Sequence, residues 1–277
     1  MKAIGMSRFV VVMFVCAATW QAARAQSQQP GPPLLVMVTE QRLRPALIGQ
    51  WEQGSRNALI GLARVKRPFP YTLMTADDGR WVFVTRGLRD LSDWERYNQA
   101  NIVARQNSPG PLPGPPTLPV DYANQWFMLE RPDWSYTPSS PRLKAEDIGF
   151  VHWDVYYSGG GPARWGLTAG EGTAAGFLPE PNFFAQLVAL HRQRNIPDGF
   201  TVYTTYAQSN PGGGGGGFVI ETSARDAKDY YTQLVRTQRL LGEEGLGLMV
   251  ARLALSRKIE RTDFNVRRDL SYRGPTN

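Results

Sequence analysis

The spacing of apolar residues switches between two periods along the chain, and the switches come in the same order twice. A first strand is predicted over Leu34–Thr39. From about Pro45 to Val65 the period becomes helical, with Leu47, Trp51, Ala58 and Leu62 on roughly one face. Pro45 suits a first helical turn, where its missing N–H would have no partner. Two further strands, Tyr71–Thr75 and Trp81–Thr85, are joined by Asp77-Asp78-Gly79, residues that tolerate the positive φ of a hairpin turn. A helix starts near Asp90, where Ser92 and Asp93 offer acceptors and negative charge to unpaired N–H groups. Gln125–Glu130 closes this half as a strand.

The second half repeats the order. It has a strand at Val151–Tyr157, a helix at Asn182–Arg194 and a turn at Ile196-Pro197-Asp198-Gly199. Strands at Thr201–Tyr206 and Phe218–Thr222 follow, then a long helical stretch from Asp226 to about Ile259 and a closing strand at Thr262–Arg267. Gly242 and Gly245 are expected to break the long stretch, each costing about 1 kcal/mol in a helix interior. The residues also repeat, at a constant offset. Arg89-Asp90-Leu91-Ser92-Asp93-Trp94 aligns with Arg225-Asp226-Ala227-Lys228-Asp229-Tyr230, and Arg131-Pro132-Asp133-Trp134-Ser135-Tyr136 with Arg267-Arg268-Asp269-Leu270-Ser271-Tyr272. Two matches at one offset indicate a duplication of a βαββαβ unit, the ferredoxin-like order, over residues 33–137 and 149–273. The repeated acids and aromatics read as duplicated helix starts and strand ends rather than a duplicated catalytic device.

Three connectors exceed the minimal unit. Residues 108–119 are rich in proline and form an extended surface connector. Residues 158–181, rich in glycine and carrying Trp165, Leu167 and Phe177, are long for a strand-to-helix loop and read as a lid. The hexaglycine 212–217 sits at a hairpin tip; a phosphate-cradling loop needs a strand-to-helix setting, so this run is a flexible connector.

Composition narrows the setting. A basic start (Lys2, Arg8), an apolar run from Phe9 to Ala18 and the small-x-small Ala23-Arg24-Ala25 make residues 1–25 a secretory signal peptide, with an apolar core too short to span a bilayer. A periplasmic or secreted protein with no stable membrane anchor after cleavage is expected. The leader takes three of the 31 basic residues and no acid, so the formal charge of +7 falls to +4. The remaining Lys and Arg are interspersed with acids (Arg267-Arg268-Asp269), which argues against a nucleic-acid partner. The single cysteine, Cys16, leaves with the leader, so disulfides, thiol catalysis and Cys-bound metal are excluded from the mature chain.

The element order, the Thr39-Glu40-Gln41-Arg42-Leu43-Arg44-Pro45 approach to the first helix and the Arg-Asp-x-x-Asp-aromatic start of the second resemble the dimeric α+β barrel superfamily, including its NIPSNAP-like and antibiotic-biosynthesis-monooxygenase-like domains. The resemblance spans both halves. It implies an α+β fold in which two ferredoxin-like sheets face each other as a barrel, here within one chain, and oxygenase or isomerase chemistry on a hydrophobic organic substrate. The Asn, Trp and His set of the haem-degrading oxygenases has no match here.

Strand alternation then assigns faces. With Val151, Trp153 and Val155 toward the helices, His152, Asp154 and Tyr156 face the barrel. With Phe264 and Val266 toward the helices, Asp263, Asn265 and Arg267 face it, joined by Glu221. The half-one counterparts, Met37, Thr39, Phe127, Leu129 and Arg131, make the other wall largely apolar. His152 with Asp154, Glu221 or Asp263 forms a base with an orienting carboxylate. Arg267 is suited to an anionic group, and Tyr156, Glu221, Asp263 and Asn265 complete the ligand contacts. Two other readings stand beside this one: a buried ion-pair network, or a slip of one residue that moves the whole set to the opposite face. His191 follows Phe184, Leu187 and Val188 at helical spacing and reads as structural. With two histidines and no ligand-spaced cluster, no cofactor is expected, neither haem nor metal. Two functions remain open: a barrel that binds a small hydrophobic or anionic molecule, with cofactor-independent oxygenase- or isomerase-like chemistry, or a non-catalytic interaction module with a filled core. The sequence leaves the oligomeric state undecided.

Overall fold

The computed structural model describes residues 34–109, 120–158, 180–206 and 217–275. The expected leader 1–25 lies outside the described residues, as do the connector 108–119, the lid 158–181 and the hexaglycine 212–217 apart from their ends.

The first unit contains β1 (Leu35–Leu43), α1 (Ile48–Arg64), β2 (Tyr71–Ala76), β3 (Arg80–Leu88), α2 (Asp93–Gln106) and β4 (Val120–Glu130). The second contains β5 (Phe150–Ser158), α3 (Glu180–Gln193), β6 (Thr201–Tyr206), β7 (Gly217–Ala224), α4 (Ala227–Leu255) and β8 (Ser256–Val266). Local chemistry places these boundaries. Gly79 takes φ 80° in the β2–β3 turn, and the Asp226 carboxylate accepts the Asp229 N–H at the start of α4. Gly242 alone leaves helical geometry (φ 64°, ψ −158°) and kinks α4, whereas Gly245, the second expected break, stays helical. The helical stretch ends at Leu255, earlier than the sequence predicts, because the chain enters β8 at Ser256 and pairs at once with β5.

Around the barrel the strands run β1-β3-β2-β8-β5-β7-β6-β4 and close. Each unit contributes a ferredoxin-like sheet of four strands, and the two sheets join through β2–β8 and β4–β6. The expected architecture of two tandem units closing sheet to sheet within one chain holds.

The expected orientation of the strands does not. Val36, Val38, Met74, Val84, Trp126 and Met128 of the first sheet pack with Val151, Trp153, Val155, Val219 and Phe264 of the second inside the barrel. Met37 and Phe127, expected to face the barrel, lie outside with Phe69 and Trp94 of the helix layer. Alternation grouped the residues of β5 and β8 correctly but assigned them to the wrong face, and Glu221, expected beside His152, lies on the opposite face from it. An eight-stranded barrel is just wide enough to be filled by side chains, and Val38, Met74, Val84, Met128 and Val219 fill this one. The outer face mixes apolar residues buried in the helix-layer clusters, such as Met37, Leu73 and Phe218, with the polar set of β5 and β8.

The repeated Arg-x-Asp-x-Ser-Tyr element explains why the barrel closes. Arg131 forks onto Asp133 and Arg267 onto Asp269. The Ser135 hydroxyl donates to the Arg131 carbonyl and accepts the Val202 N–H of β6; Ser271 does the same with Arg267 and the Leu73 N–H of β2. Tyr136 and Tyr272 then pair with Phe200 and Tyr71. Each copy ends a strand of its own unit and clasps the other.

Candidate functional site

The largest cavity described, about 990 Å³, is a groove between the outer face of β5 and β8 and the kinked helix α4. His152 and Asp154 come from β5 and Asp263 from β8, where His152 and Asp263 are directly paired across the ladder. Tyr230, Leu234, Leu241 and Met249 of α4 form the opposite wall. Three of the expected site residues therefore do assemble, but outside the barrel.

His152 is 6% exposed and stacks on Tyr230, with ring centroids 4.5 Å apart. Its Nδ1 lies 2.6 Å from Asp263 Oδ1, and its Nε2 lies 3.5 Å from Asp154 Oδ1. The second oxygen of Asp263 accepts the Tyr231 hydroxyl at 2.8 Å, and Asp154 accepts Arg261 Nε at 3.1 Å. Burial by itself would lower the imidazole pKa; the hydrogen bonds and charges of Asp154 and Asp263 outweigh it, and His152 titrates above its ordinary value. The arrangement is a basic imidazole, oriented by one carboxylate, at the floor of a groove with an apolar wall. Tyr156 also lines the groove, but its ring is stacked on Phe218 in the helix-layer core.

The other expected residues are elsewhere. Glu221 alone faces the barrel interior. It accepts Trp153 Nε1 at 2.8 Å, the Tyr203 hydroxyl at 3.2 Å and Arg86 Nη2 at 3.1 Å. With Arg86 and Glu130 it lines a second cavity of about 710 Å³ at one end of the barrel. Asn265 is exposed on the outer face. Arg267 bridges Asp269 and Glu52 of α1 over Trp81, so it holds the clasp and is not free for a ligand. His191 is buried, with Nδ1 bonded to the Leu187 carbonyl, as a structural histidine should be. Tyr231 and Arg261 escaped the sequence reading. Arg261 shares the face of Asp263 by alternation, but a strand begun at Thr262 excluded it. Tyr231 carries no local signal, because its partner lies on another element.

No family model matches the sequence, and no curated protein matches it. Solved structures do match. An anthrone oxidase-like protein aligns at 11% identity over 86% of this chain and 92% of its own, with TM-score 0.51. A putative monooxygenase from Fusobacterium nucleatum aligns at 10% identity over 88% and 97%, with TM-score 0.48. A novel heme-binding protein from Thermus thermophilus aligns at 12% identity over 87% and 96%, with TM-score 0.44. The likeness to the anthrone oxidase-like protein is one of fold, and the closed barrel of two ferredoxin-like sheets is the architecture that the resemblance to dimeric α+β barrels implied. In this chain one polypeptide supplies both sheets.

The expectation of no cofactor is corrected by the same comparison. A heme-binding protein stands among the matching structures, beside chlorite dismutases.

Proposed function

We propose that this chain is an exported protein that binds a flat, mostly apolar organic molecule with an ionisable group in the groove under α4, and that His152 acts on that molecule as a base. One observation carries the reading: the His152–Asp263 pair lies at the floor of the largest described cavity, opposite an apolar helix face. Asp263 fixes Nδ1 as the donor, and Nε2, 3.5 Å from Asp154, is the nitrogen that would meet the ligand once Asp154 turns aside. A base of this kind takes the proton of a phenol or an activated C–H, and the resulting anion is the form that dioxygen oxidises. Oxygenase-like chemistry of this type suits a fold shared with putative monooxygenases and an oxidase-like protein. The leader-like residues 1–25 support export.

The same groove fits haem. His152 is its one histidine and would hold the iron, with Nδ1 fixed by a carboxylate as in many metal-binding histidines. Arg80 and Arg261 line the groove and suit acidic substituents, and Asp154 would turn away from Nε2. Bound there, haem would supply redox chemistry at its iron, while His152 would hold it and the α4 side chains would form its apolar wall.

Two probes test the reading: hemin, followed by its absorption band, and anthrone, followed by thermal shift. At least one should bind the full chain, and His152→Ala should weaken that binding by about tenfold or more, equivalent to roughly 1.4 kcal/mol. Binding through His152 should also strengthen as pH rises through its elevated pKa, because the neutral imidazole is the active form. Failure of both probes, or equal binding by His152→Ala, would overturn the proposal.

A further inference from the structure

We infer a second ligand site in the first unit, a pocket that takes a small aromatic carboxylate on Arg67. The pocket, about 430 Å³, lies between the outer face of the first sheet and helices α1 and α2. Arg67 follows α1 and is 2% exposed. Its Nη1 donates to Asn101 Oδ1 at 2.8 Å, but Nε and Nη2 have no partner. Its charge faces the rings of Tyr71, Tyr97 and Tyr272, each 5.3–5.4 Å from the guanidinium carbon. These rings ease a buried cation but accept none of its in-plane N–H groups. A buried guanidinium normally has a carboxylate. Among the described residues lining this pocket none is acidic, and Arg105 adds a second cation. A fork of unpaired N–H donors of this kind fits a planar carboxylate. Phe83 and Trp94 in the lining make an aromatic body the complementary one.

The duplication supplies an internal control. Lys66 and Asn195 both take positive φ, 48° and 49°. Each is followed by a residue whose N–H bonds back to the helix before it, Arg67 to the Leu62 carbonyl and Ile196 to the His191 carbonyl. The carbonyls of Arg67 and Ile196 accept the hydroxyls of Tyr272 and Tyr136. The two positions are equivalent, and in the second unit an isoleucine, 1% exposed, fills the place with apolar neighbours. The fold therefore asks only for an apolar side chain here. A charge retained at this point serves something other than folding.

The test is titration of the full chain with benzoate, by calorimetry and thermal shift, with benzyl alcohol as the neutral control. Benzoate should bind and raise the melting temperature, and benzyl alcohol should do neither. Arg67→Ile should melt no lower than the parent and lose benzoate affinity by at least about 30-fold. Asn101→Asp keeps the arginine and gives it a built-in counter-ion; it should stabilise the protein and expel benzoate, so the inference stays testable if Arg67→Ile does not fold. Benzoate binding unchanged in either variant, equal binding of benzyl alcohol, or no benzoate binding by the parent at tens of millimolar would overturn it. Neither variant touches the groove under α4, so hemin and anthrone binding should be unaffected.

Discussion

The two halves of this molecule share a skeleton and differ in the chemistry placed on it. Each ends in the same clasp, with Ser135 and Ser271 capturing the N–H of Val202 and Leu73, and each turns out of its first helix through a left-handed residue. At equivalent points, however, the first unit has Leu62, Arg67 and Val84 where the second has His191, Ile196 and Glu221. Positions kept in both copies hold the barrel together. Two of the positions where the copies part, Arg67 and Glu221, hold charge in buried places, and charge in buried places needs a reason beyond stability.

The largest effect should come from the barrel interior. Glu221→Val, which installs the first unit's residue, leaves Arg86 and Trp153 Nε1 without their acceptor. It should cost about 3 kcal/mol, the low end for breaking a buried pair, because Arg86 is 36% exposed to the cavity. Adding Arg86→Leu should recover most of that loss in urea unfolding, and no recovery would mean the pair is not the coupled unit described. Next come the clasps. Ser135→Ala and Ser271→Ala each strip a buried N–H of its acceptor and should each cost about 1–3 kcal/mol. The two costs should agree within roughly 0.5 kcal/mol and add in the double variant; a large inequality would break the symmetry between the halves.

The smallest effect separates the two histidines. Burial dominates at His191 and lowers its pKa, so its contribution is present above the ordinary value near 6.5 and lost as pH falls through the depressed one. His191→Leu, the residue of the first unit, should remove that acid sensitivity. His152 is the opposite case: its raised pKa gives stability that is full below about 6.5 and fades as pH rises through the elevated value. His152→Gln should therefore be most destabilising at pH 5 and least at pH 8. Equal costs at both pH values would show that the carboxylates do not hold the imidazolium.

Much of this was legible in the residues. The offset repeat disclosed the duplication, the switching periods disclosed βαββαβ twice, and alternation grouped His152, Asp154 and Asp263 on one side of the sheet. Arg67 gave no sequence signal, because a lone arginine after a helix reads as solvated surface. Only the fold shows that it is enclosed by tyrosines from three separate segments.

By itself, then, the sequence determined the order of elements, the duplication and the partition of side chains between two faces, because these follow from local periodicity. Tertiary structure decided which face is inside. That choice depends on the width of a closed eight-stranded barrel, which is not a property of any one strand. It moved His152 and Asp263 from the barrel to the groove, left Glu221 within, and gave Arg267 to the clasp.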